Sequence, residues 1–212
     1  MDARTQLDTL RDSVRTAARV SEELDQAQRV VFVQGWLERV DLAVWENGAG
    51  DRLSVLLGTD WGIVAGFDHE SPWSPWFFDE AEEEGMIDGL LDGMPAPQLD
   101  CLNAHMRGGE DKFRAAGLSA PLREDEITCC VWLPPGRQEW TTGVPRVPEH
   151  RDDWSTGGRN WLIEDLPWGP EWCAVEEEGP VLERAREIFR RCGLHDDRLR
   201  PYAERTEIEP PP

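Results

Sequence analysis

The sequence predicts an α+β domain: an antiparallel meander sheet with N-terminal helices and a C-terminal helix packed on it. Three observations predict it. Apolar residues recur at helical spacing at both ends of the chain, three apolar runs separated by Gly-rich joints occupy its middle, and no internal repeat divides the 212 residues.

The elements follow in order. Leu7, Leu10, Val14 and Ala17–Ala18 mark a first helix from Asp2 to about Val20. Ser21 followed by Glu22 and Glu23 reads as a fresh N-cap and predicts a second helix toward Arg39. Val30, Val33, Leu37, Val40 and Val44 keep helical spacing there, although Val30–Val33 is equally a β-branched strand-like run. The meander comes next: Leu42–Trp45, Leu53–Leu57 and Ile63–Phe67, joined by Asn47-Gly48-Ala49-Gly50 and Gly58-Thr59-Asp60. Gly85–Asp92 and Gln98–Met106 each suit a short helix, parted by Pro95 and Pro97. A polar stretch runs to Asp125. Ile127–Leu133 is a strand that Pro134-Pro135-Gly136 turns toward Glu139–Thr142. Beyond a loop-like stretch, Trp161–Leu166 and Trp172–Val175 are shorter apolar runs. Gly179-Pro180 opens a last helix with Leu182, Ala185, Ile188 and Phe189 on one face, ending near Cys192-Gly193. Residues 1–206 form one domain, and Glu207–Pro212 is a disordered tip.

Charge narrows the partners. The net charge is −21, from 43 acids against 22 bases. Nucleic acid and anionic membranes require a basic footprint, so neither is expected. The start of the chain lacks the apolar run of a signal peptide, and no stretch reaches the roughly 18 apolar residues of a membrane span. Five cysteines without a framework spacing fit reduced thiols in a cytoplasm. Adjacent Cys129 and Cys130 would point to opposite faces of a strand, at least one of them buried.

From Leu53 through Met106 there are eleven Asp and Glu and not one Lys or Arg. The same window holds Trp61, Phe67, Trp73, Trp76, Phe77 and Phe78. Trp61, like Trp45 and Trp132, flanks or occupies a strand and belongs to the core. Trp73 and Trp76 lie in a repeated Ser-Pro-Trp, in which each Pro stiffens the backbone and extends the preceding Ser. The rings either fold over the sheet as a lid or serve as anchors rimmed by acid. The second case gives the candidate partner-binding set: Trp73, Trp76, Phe77, Asp79, Glu80, Glu82, Glu83 and Glu84, facing a basic protein surface. A second base-free stretch, between Asn160 and Glu183, carries Trp161, Trp168, Trp172 and Glu176–Glu178.

Catalytic constellations are sparse. Asp68-His69-Glu70 could orient an imidazole for acid–base work, but neighbours on an extended segment point in alternating directions. Cys101 and His105, with Cys192 and His195, could formally make a Cys₂His₂ zinc set, yet the two pairs lie about ninety residues apart. No elbow around a serine and no phosphate-cradling loop is present. No cofactor or metal is expected.

The run Asp51–His69 (DRLSVLLGTDWGIVAGFDH) resembles the central hairpin of bacterial toxin-immunity proteins, and the Val181–Leu194 helix is similar to their final helix. The resemblance covers about a sixth of the chain and carries over no functional residue. It implies a small, non-catalytic, acidic inhibitor of a basic toxin domain. The other readings are a small enzyme or metal protein and a structural or regulatory subunit.

Overall fold

The computed structural model describes residues 3–24, 29–46, 50–67, 89–123, 126–141 and 143. Its centre is a five-stranded antiparallel sheet in sequence order: β1 (Arg29–Leu37), β2 (Val40–Glu46), β3 (Arg52–Leu57), β4 (Gly62–Phe67) and β5 (Cys129–Leu133). Helix α1 (Ala3–Leu24) covers one face. Helices α2 (Ala96–Met106) and α3 (Glu110–Ala115) pack on the other. The α+β meander is therefore present, with one N-terminal helix among the described residues.

Alternation along the strands sorts the side chains into two cores. Leu53, Val55 and Leu57 of β3 join Leu7, Leu10, Val14 and Val20 beneath α1. Leu42 and Val44 of β2, Leu56 of β3, Ile63, Ala65 and Phe67 of β4, and Cys130 and Trp132 of β5 join Leu102 and Phe113 on the α2–α3 side. Pairing keeps this parity across the sheet, with Leu42 opposite Leu56, Leu56 opposite Ile63, and Ile63 opposite Trp132. A strand buried on both faces has little room for polar residues, which is why β4 contains none (GIVAGF).

The second predicted helix does not form. Helix α1 runs through Ser21 to Leu24, and residues 29–37 are β1 instead. Ser21 acts at the junction rather than as a cap: its Oγ accepts a hydrogen bond from Val30 N at 3.0 Å. The β-branched run Val30-Val31-Phe32-Val33 gains a ladder and two covered faces, which outweighs a helical spacing built on poor helix formers.

A bulge in β1 has larger consequences. The register with β2 shifts between Val33 and Leu37, at Gly35, whose φ of 65° suits a residue without Cβ. Gly35 N donates to Asp41 Oδ1 at 3.0 Å. Before the bulge Val30 and Phe32 face α1; Trp36, four residues beyond Phe32 and of the same parity, lies in the opposite core. From Val33 to Leu37 β1 takes four steps against two from Leu42 to Val40 on β2, and this irregularity delivers a tryptophan to the α2–α3 side.

Helix α1 is fastened to the sheet at several points. Arg11 fixes it, donating to Asp41 Oδ2 at 3.2 Å and to the Gly58 carbonyl at 2.8 Å. At its start, Gln6 accepts from Trp140 Nε1 at 3.2 Å and donates to the Gln138 carbonyl at 3.0 Å. The turn after β5 therefore folds back as expected, and Thr141 bridges to Trp132. The polar stretch after Met106 contains the short helix α3, whose six residues are too few to show an apolar period. Of the helix expected over Gly85–Asp92, residues 89–92 form turns, and residues 85–88 lie outside the described residues. No helix among the described residues is long and apolar enough to cross a membrane.

Candidate functional site

The candidate partner-binding residues Trp73, Trp76, Phe77, Asp79, Glu80, Glu82, Glu83 and Glu84 lie outside the described residues, as do Asp68, His69 and Glu70. What is described is the base from which they extend. Phe67 closes β4, and the chain is described again from Gly89 and Leu90. Phe67 and Leu90 are both buried, and both belong to the core on the α2–α3 side. Gly143 completes this base. A Cβ there would overlap the carbonyls of Gly89 and Leu90, so only glycine permits so close an approach. Gly143, the last residue described, thus lies against Gly89 and Leu90, the first described after residue 88.

Behind this base lies a polar cluster inside the apolar core. Gln98, Leu102 and His105 occupy one stripe of α2, at i, i+4 and i+7, and all three are buried. Gln98 Nε2 donates to the carbonyls of Gly62 at 3.2 Å and Leu133 at 3.1 Å, which ties the helix across the β4–β5 pair. His105 is fully buried. Its Nε2 lies 3.1 Å from Ser54 Oγ, its ring meets Trp36 edge-on at 6.0 Å, and it tilts against Phe113 at 5.3 Å. Its Nδ1 has no hydrogen-bond partner among the described residues. Lys112 closes the group from α3, its Nζ 3.9 Å from the centroid of Trp36 and donating to the Trp36 carbonyl at 2.6 Å.

The imidazole is neutral here. Burial lowers its pKa from 6.5 to about 4, and the charges of Lys112 and Arg52 push in the same direction. Arg52 is itself held by Glu46, Nε to Oε1 at 3.2 Å, and by the carbonyls of Ala120 and Pro121. A serine beside a histidine resembles the beginning of a catalytic pair. Here both side chains are buried, and no carboxylate meets Nδ1 among the described residues.

The other half of the formal zinc set, Cys192 and His195, lies outside the described residues, as does the Val181–Leu194 helix. Cys101 is half-buried, and burial pushes its thiol up to about 11. His105 already spends Nε2 on Ser54. Among the described residues no three His, Cys, Asp or Glu are grouped to hold a metal ion. Cys129 and Cys130 do point to opposite faces, and both are buried; burial also raises the Cys130 thiol. Trp132 is fully buried and Trp45 nearly so, while Trp61 sits half-buried against the Gly58 turn.

Trp36, Ser54, Lys112 and Phe113 were not legible as partners of His105. The one available signal was the 98–102–105 stripe, which places a histidine on the buried face of its helix. No protein-family model, curated protein or solved structure matches this chain.

Proposed function

We propose that this chain is an acidic protein-binding module of the cytoplasm, an immunity-type inhibitor that covers a basic protein surface, most concretely a toxin domain. The observation that carries the reading is the base-free window from Leu53 to Met106, with Trp73 and Trp76 among its acids. Its departure and return points, Phe67 and Leu90, are buried in one core cluster. Loops carried on a packed sheet are suited to recognition.

Mechanism follows from the charge. A net −21 attracts a positive partner over distances on the order of the Debye length, about 10 Å at 0.1 M salt. Contact then buries Trp73, Trp76 and Phe77, and Asp79, Glu80 and Glu82–Glu84 face the partner's Lys and Arg. In the described part, arginines are largely engaged at home. Arg11 and Arg15 meet Asp41, Arg52 meets Glu46, and Arg114 meets Glu110 and Asp111.

The test uses the product of an adjacent toxin-like reading frame as the partner. Its association rate with the intact chain should fall by tenfold or more between roughly 0.05 and 0.5 M salt. A rate indifferent to salt overturns the steering mechanism. Stoichiometric metal in the untagged protein would instead favour an enzyme built on Asp68, His69 and Glu70.

A further inference from the structure

We propose that the α2–α3 layer is an acid-releasable cover on the sheet, with His105 as its trigger: one proton on the imidazole detaches this layer while the α1 side of the sheet stays packed.

The geometry carries the argument. His105 is a keystone among three elements, touching Ser54 on β3, Trp36 on β1 and Phe113 on α3. In the neutral ring with hydrogen on Nε2, that N–H donates to Ser54 Oγ and Nδ1 presents only a lone pair. In that tautomer the second proton goes on Nδ1, which has no partner among the described residues. It would create a buried N–H and a buried charge together, each costly without an acceptor.

The charged surroundings add to the penalty. From α3 the facing ionisable group is Lys112, and from β3 it is Arg52; both are cationic. β1 contributes the uncharged Trp36, and Gly62–Phe67 of β4 contains nothing ionisable. On α2 itself, Cys101 lies one turn earlier and Asp100 is exposed. The nearby carboxylate, Glu46 on β2, is already engaged by Arg52 Nε at 3.2 Å and Ser119 Oγ at 2.8 Å. Opening the layer gives the imidazolium water, which screens Lys112, and removes it from Arg52 on β3.

Among the described residues nothing equivalent stands on the other face. The cluster beneath α1 contains Leu7, Leu10, Val14, Val20, Val55 and Val64 with no histidine. Ion pairs from Arg11 and Arg15 to Asp41 fasten α1 there. Acid thus loosens one face before the other. Leu90 and Met94 belong to the released side, so the seat of the 68–88 segment loosens with it. That last consequence rests on the proposed function; the release does not.

The experiment is amide hydrogen exchange on the full chain alone, followed by NMR, with the imidazole of His105 titrated in parallel. After correction for intrinsic exchange, opening of α2 and α3 (amides of Leu102 and Phe113) should rise roughly tenfold per pH unit between 6.5 and about 4. Protection at Leu10, Val14 and Val55 should hold. In His105→Phe and His105→Gln, which cannot take the proton, the rise should vanish. The proposal is overturned if opening is flat across that range, or if α1 and β3 open in parallel. A slope that persists in whichever variant folds overturns it too, as does an imidazole titrating near 6.5 in a fully protected protein. Because no partner is present, failure here leaves the binding proposal untouched, and failure to bind a basic partner leaves this one untouched.

Discussion

Replacing Lys112 by Met interrogates the polar cluster without emptying it, since the aliphatic stem is retained. The substitution removes an ammonium 3.9 Å from the Trp36 ring centroid and a 2.6 Å hydrogen bond to the Trp36 carbonyl. A cation over an aromatic face contributes about 0.5–1 kcal/mol at exposed sites, and a charged donor adds a hydrogen bond of similar net size. Lys112 is exposed, so solvent screening brings the combined loss to about 1 kcal/mol at about pH 7.5. The pH dependence of that loss is the sharper test. His105 is neutral in the folded state with its pKa near 4, whereas the unfolded chain takes up the proton near 6.5. Wild-type stability therefore falls as the pH drops from 6.5 to about 4 and levels off below; at 1.36 kcal/mol per unit the full fall is on the order of 3 kcal/mol. Removing Lys112 removes one of the two cations that keep the proton off, so the variant falls less. Urea denaturation of both proteins, at about pH 7.5 and about pH 5, gives the comparison, with the shared carboxylate titrations cancelling in the difference. The penalty should shrink toward zero at the lower pH. A penalty that is constant or grows on acidification, or no penalty at about pH 7.5, refutes the electrostatic account of the cluster.

Other outcomes follow from the same geometry. Phe113→Ala should cost about 3–5 kcal/mol in denaturant unfolding, because a fully buried ring contacting Trp36 and His105 leaves a cavity; a cost below 1 kcal/mol would mean that α3 is not seated as described. Gly143→Ala should cost about 1–3 kcal/mol, since its Cβ meets the carbonyls of Gly89 and Leu90 and backbone yields poorly; an unchanged melting temperature would rule out that approach. Cys101 and Cys130 should resist maleimide at neutral pH until the protein is unfolded, as burial raises both thiols; prompt labelling located by peptide mass mapping would contradict their placement. Trp73→Ala and Trp76→Ala should each weaken capture of a basic partner by on the order of 2 kcal/mol while leaving unfolding of the free chain unchanged; the reverse pattern, measured by titration calorimetry and urea denaturation, would make them a lid on the core.

How much of this was legible depended on whether local signals agreed. The runs Leu53–Leu57 and Ile63–Phe67 are apolar, short and bounded by Gly-containing turns, so propensity, length and punctuation gave one answer, and β3 and β4 match it. Around Val30 the signals conflicted. A valine every three or four residues satisfies a helix, while a β-branched run satisfies a strand, and the ladder with Val40–Glu46 decided the matter from outside the local sequence. Trp36 was hidden for a further reason. Parity read from Val30 places it beneath α1, and only the bulge at Gly35 moves it across. The pairing of His105 with Ser54 joins residues 51 positions apart, a contact that periodicity cannot express.

The two faces of the sheet differ in a way that bears on function. Glu46 Oε1 and Arg52 Nε, though not hydrogen-bonded, neutralise one another as an ion pair. The remaining buried polar atoms without a partner among the described residues are Trp36 Nε1, Gln98 Oε1, His105 Nδ1 and Trp132 Nε1. Trp36 and Trp132 belong to the core on the α2–α3 side, and Gln98 and His105 project into it from α2. Each unmet group costs about 1–3 kcal/mol relative to a satisfied one, so this face is held with less margin than the aliphatic face beneath α1. Phe67 and Leu90 are seated in the same weaker face. Binding segments are commonly drawn from the less stable part of a fold, because recognition requires local adjustment that a fully satisfied core resists. The face that seats Phe67 and Leu90 is thus the one with unmet polar groups, a placement that suits the proposed binding role.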